Sequence, residues 1–195
     1  MGERKMSTTT QYVKVIVYDL GSENLKVFEN TREKELVRCA RVKCVQLLHN
    51  LGIQCTESVI LIAPSNVDKV DRVIARVKEI YDQLNDSLVN DGFNVVLKPI
   101  IQVLDLTQVQ TSRLLPLAHR RLVSLIDRTI DNLSSLIDNI SSIDENTRKR
   151  KVRRNIMRLA SAWRSLYDMA RELGIDITRD YNALVDMIEE ALAWC

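Results

Sequence analysis

Glycine is scarce in this chain. The five present, Gly2, Gly21, Gly52, Gly92 and Gly174, stand too far apart to build a loop that wraps a phosphate in backbone N–H groups. The common glycine-rich nucleotide-binding turns are therefore excluded. Cysteine is equally sparse: Cys39, Cys44, Cys55 and Cys195 show no disulfide-framework spacing, so reduced thiols are expected. No run of 18 apolar residues offers a membrane span, and the opening MGERKMSTTTQ lacks the apolar stretch of a secretory signal. A cytoplasmic protein without membrane contact is the expectation.

Charge of one sign is also missing at the level of the whole chain. Lys and Arg number 28 against 26 Asp and Glu, a net charge of +2, and the balance is even, 14 to 14, up to Asp105. A general polyanion binder is thereby excluded, while a local contact surface is not. No Ser-His-Asp or Cys-His pattern is recognisable. A non-enzymatic protein is expected, with no cofactor and no identified small-molecule substrate.

What the chain does hold is a core: 46% of 195 residues are hydrophobic, enough for one large domain or one domain with a helical extension. Residues 1 to 11 read as a flexible tail. YVKVIVYDL from Tyr12 to Leu20, a turn at Gly21 to Asn24, and LKVF read as two strands of a hairpin. Thr31 to Leu51 reads as a helix closed by a left-handed Gly52. SVILIA, Ser58 to Ala63, has the continuous apolar character of a strand covered on both faces. Ser65 with Asp68 resembles a capping box for a helix whose stripe runs Val67, Val70, Ile74, Val77, Tyr81, Leu84, Leu88 and ends near Gly92. FNVVLKPIIQVL, Phe93 to Leu104, reads as a strand that Pro99 either places at an edge or breaks.

After a boundary near Asp105, three helices follow: Ser112 to Ile143, where Pro116 is tolerable only in the first turn; the segment from Asn146 to Gly174; and a last helix begun by Asp176 or Thr178. The fold class is α+β and helix-rich. Residues 12–105 form a small mixed β-sheet with two packed helices, in the order β-β-α-β-α-β. Residues 106–195 form a C-terminal bundle of three helices that can share one core with the sheet.

Two clusters resemble functional sites. Cys39, Cys44, His49 and Cys55 are spaced like a zinc knuckle, but on a helix residues five apart point about 140° away from each other and climb roughly 7.5 Å. Buried structural thiols are the better reading. His119, within the apolar stripe of the long helix, reads as a core or interface histidine. Asp127, Asp131 and Asp138 read as a solvated face or as partners for a basic neighbour.

The basic neighbour is NTRKRKVRRNIMRLASAWRSLYDMARELG. Its packing stripe is Val152, Ile156, Leu159, Ala160, Trp163, Leu166, Tyr167, Ala170 and Leu173. Arg148, Lys149, Arg150, Lys151, Arg153, Arg154, Arg158 and Arg164 occupy the rest, and no acid occurs between Asn146 and Tyr167. Arginine forks match phosphate oxygens. The expectation is phosphate-backbone contact with DNA or RNA, without sequence readout, because the glycine-turn signature of a helix-turn-helix is absent. A solvated face, pairing with acids of the same fold, an import signal of the KRKVRR type and membrane-surface attachment compete with it. The alternative class is a scaffold or homo-oligomer joined through the stripes of Val67 to Leu88 and Ser112 to Ile143.

Overall fold

Alternation in the strands decides the architecture. The computed structural model describes residues 13–21, 31–93, 95–140 and 146–195. Strand β1 (Val13–Asp19) is followed by α1 (Thr31–His49), β2 (Gly52–Thr56), β3 (Val59–Ile62), α2 (Val70–Asn90), β4 (Ile100–Leu106), α3 (Gln108–Ile140), α4 (Asn146–Glu172) and α5 (Thr178–Ala193). The sheet order is β2-β3-β1-β4. Every neighbouring pair is antiparallel, so the sheet is not the mixed one expected.

Successive side chains point to opposite faces of the sheet. Val13 and Val15 of β1, Ile53 and Cys55 of β2, and Val59 and Leu61 of β3 face α3, α4 and α5. Ile16 and Tyr18 of β1 with Ile60 and Ile62 of β3 face α1 and α2. The molecule is thus three layers, two helices against three across one sheet, and the helical bundle shares its core with the sheet face it covers. The α+β, helix-rich class holds. The long stripes are spent inside this arrangement: Val70, Val77, Tyr81, Leu84 and Leu88 of α2 are buried on one side, and Ala118, Leu122, Ile126 and Leu133 of α3 on the other.

Several local expectations change. The second strand of the expected hairpin, LKVF, lies outside the described residues, as does the N-terminal tail. The partner hairpin is instead β2 with β3, joined through Glu57 and Ser58. Gly52 does not close α1 with a left-handed turn; positive φ among the described glycines belongs to Gly21, Gly92 and Gly174. Its necessity is contact: a Cβ on Gly52 would lie 1.7 Å from the Leu61 carbonyl oxygen. The turn after α1 is held by buried Asn66, whose Nδ2 donates to the carbonyls of Asn50 at 3.2 Å and Leu51 at 3.3 Å.

No capping box forms at Ser65. Pro64–Lys69 is a 3-10 turn, α2 starts at Val70 without a side-chain cap, and the Ser65 N–H donates to a Glu172 carboxylate oxygen at 3.0 Å. Pro99 breaks its run, because pairing begins at Ile100, and β4 is a sheet edge. Asp105 belongs to β4, bonded to Lys14 at 2.7 Å. Thr107 caps α3: the Gln110 N–H donates to its Oγ1 at 3.3 Å, and its own N–H donates to Gln110 Oε1 at 2.9 Å. Pro116 lies two turns inside α3, not in the first turn. It is exposed, and so is Ser112, whose carbonyl loses a donor, so water reaches the lost bond.

Candidate nucleic-acid interface

The outer face of α4 is defined by what anchors the inner one. Ile156, Trp163, Met169, Ala170 and Leu173 are buried in the core that α4 shares with α3, α5 and the sheet, and Trp163 retains 5% of its exposure. Gly174 at φ 72° ends the helix. There the Ile175 N–H donates to the Ala170 carbonyl at 2.8 Å and the Gly174 N–H to that of Arg171 at 3.0 Å, a Schellman closure. Tyr167 stacks on Tyr181 of α5 with ring centroids 4.2 Å apart, and the Arg171 guanidinium sits 5.9 Å from the Tyr167 centroid. These contacts fix the rotation of α4 about its axis.

That rotation leaves the side chains of Arg150, Lys151, Arg153, Arg154, Arg158 and Arg164 exposed and Lys149 half-buried. Arg148 falls in the first turn of α4; its side chain lies outside the described residues. Among the described residues, ion pairs join Lys14 to Asp105, Arg32 to Asp91, Arg38 to Glu35 and Arg76 to Glu79. None involves a cation of α4. Asp127 and Asp131 are exposed on α3 and pair with none of the α4 cations from Lys149 to Arg164; Asp138 is exposed as well.

The other expected clusters separate. Cys44 packs on the α1–α2 side of the sheet and Cys55 on the opposite side, Cys39 is exposed and all four cysteines are free. Among the described residues no group of three His, Cys, Asp or Glu can hold a metal. Burial pushes the thiols of Cys44 and Cys55 up to about 11. His119 is half-buried within α3.

One polar cluster has no counterpart in the sequence reading, because β1, α1, β2 and α3 each contribute to it. The Tyr18 hydroxyl donates to the Glu57 carbonyl at 2.8 Å and lies 3.4 Å from His49 Nε2, while an Arg121 N–H meets Gln54 Oε1 at 3.5 Å. Burial, then the Arg121 charge, holds the His49 imidazole below its usual range. Burial raises the Tyr18 phenol. Beside them a cleft of about 240 Å³ is lined by Ile53, Leu122, Leu125 and Met169. The Tyr18 phenol is committed to a carbonyl, and His49, Arg121 and Ser165 line the cleft beside the apolar residues.

Among the described residues no helix is long and apolar enough to cross a membrane. No protein-family model, curated protein or solved structure matches the chain.

Proposed function

We propose that the protein is a non-enzymatic nucleic-acid-binding or nucleoprotein-assembly protein that contacts the phosphate backbone through α4. The observation that carries this reading is the exposed row of Arg150, Lys151, Arg153, Arg154, Arg158 and Arg164, none of which forms an ion pair with a carboxylate among the described residues. Such a row is costly in isolation. Lys149 with Arg153, Arg150 with Arg154 and Arg154 with Arg158 place like charges four residues apart, each destabilising the helix by about 0.2–0.5 kcal/mol. A polyanion relieves that repulsion and releases counterions when it does so.

Trp163 and Ile156 serve as anchors that hold the row outward. Self-association through the stripes of α2 and α3 has less support, because those residues already pack within the chain. The test is fluorescence anisotropy with labelled duplex DNA, single-stranded DNA and RNA, titrated at rising salt. Binding at about 50 mM salt that weakens with a log-log slope of roughly −4 to −6 is expected for five or six phosphate contacts. No binding to any of the three at that salt refutes the reading.

A further inference from the structure

Helix α4 borders a groove that the described residues leave open. Its main packing partners are α5 and β2, those of α3 are also α5 and β2, and the two helices make no comparable approach to each other. A groove of about 400 Å³ runs between them, and no α5 residue lines it. Leu133 and Ile156 form its buried floor, and Leu136, Val152 and Leu159 are half-exposed along it. It follows α3 from Thr129 to Leu136, about two helical turns or roughly 10 Å.

The rim has one sign. Residues three and four apart are neighbours on a helix surface. Counted that way from the lining positions of both helices, Arg128, Lys149, Lys151, Arg153 and Arg158 border the groove, and among the described residues no Asp or Glu does. Asp127 and Asp131, on the same stretch of α3, stand at other spacings.

The geometry points to an amphipathic helix with acidic flanks, from a partner polypeptide, as the occupant of this groove. A guest with apolar residues at i, i+4 and i+7 covers Leu136, Val152 and Leu159 over the two turns available, and its carboxylates meet Arg128, Lys151 and Arg158. A phosphodiester chain satisfies the cations and leaves the apolar walls wet. A second copy offers no spare helix, since each described helix buries its own stripe. The docked helix completes a four-helix layer on that face of the sheet. The inference stands apart from the nucleic-acid reading, although both ligands draw on Lys151 and Arg158 and would compete for them.

The test uses the full chain and three labelled synthetic peptides of about 20 residues: one with a leucine stripe and glutamate flanks, one of the same composition with the leucines scattered, and one with lysine flanks. The glutamate peptide is expected to bind at least 10-fold more tightly than either control. Leu136→Glu is expected to weaken it at least 10-fold, and Lys151→Glu with Arg158→Glu to weaken it while strengthening the lysine peptide. The exposed pair decides the matter should the Leu136 variant fail to fold. Equal binding of the scattered peptide means that charge alone attracts it, and overturns the inference. So does absence of binding, or capture of phosphatidylglycerol vesicles through the same residues without binding of the peptide.

Discussion

Helices α2 and α4 are both long and amphipathic, and they differ in what they do with the side that faces water. On α2, Asp71, Glu79, Asp82 and Asp86 are interleaved with Arg72, Arg76 and Lys78, and Arg76 meets Glu79 at 2.5 Å. On α4 every charged residue from Lys149 to Arg164 is a cation. Packing demands only an apolar stripe, which both helices have, so the fold does not dictate the sign of the outer face. The charge of α4 is an independent property of the sequence, and it works against the helix that carries it. A polyanionic ligand would relieve the repulsion on α4, whereas on α2 the charges already alternate in sign.

The largest effect is expected from removing the anchor. Trp163→Ala should cost about 3–5 kcal/mol in chemical denaturation, as should Tyr81→Ala on α2, because both leave cavities in closed cores. A cost below about 1 kcal/mol for Trp163 means that α4 is not held by its inner face. Next in size, the triple change Arg150→Glu, Arg153→Glu, Arg154→Glu should lower affinity for a duplex at least ~100-fold, since it replaces three phosphate contacts by repulsion. The matching change on α2, Arg72→Glu, Arg76→Glu, Lys78→Glu, should alter affinity by less than about 3-fold. Equal losses from both would make the comparison worthless.

A smaller effect separates repulsion from packing. Raising salt from about 20 to 200 mM should stabilise the protein by on the order of 1 kcal/mol, the sum of the like-charge pairs on α4, or roughly 2–4 °C in melting temperature. The triple variant should lose that gain. A last effect appears only at alkaline pH and belongs to the other layers. Cys44 and Cys55 have folded-state pKa values raised from 9.0 to about 11. Their thiols therefore stay neutral in the fold while the unfolded chain ionises, so stability present below pH 9.0 declines as pH rises toward about 11. Urea melts at stepped pH should show the decline, and Cys44→Ala should reduce it.

Helix periodicity was the most legible part of the sequence. The stripe of α2 and the inner face of α4 lie where a step of three and four residues places them, and Gly92 and Gly174 end their helices as left-handed residues. The strands were harder. Gly52 to Thr56 carries one large apolar residue, Ile53, and its Gly52 resembles a helix stop, yet what selects it is the approach of the Leu61 carbonyl from another strand. No local pattern contains that information. Pro116 misled in the same way, since its tolerance depends on water reaching the Ser112 carbonyl. Of the candidate interface, residue types and helix side were readable. The freedom of its cations from Asp127 and Asp131 was not, because it is set by how α3 and α4 turn about their axes on the sheet.

The short turn from Pro64 to Lys69 links helices on opposite sides of the sheet. Its Asn66 holds the carbonyls of Asn50 and Leu51 just after α1 and lies 3.4 Å from the sulfur of Met169, and its Ser65 N–H rests on Glu172, both on α4. The two cores therefore meet at one rim, where a single short turn bonds the end of the basic helix on one side of the sheet and the chain leaving α1 on the other.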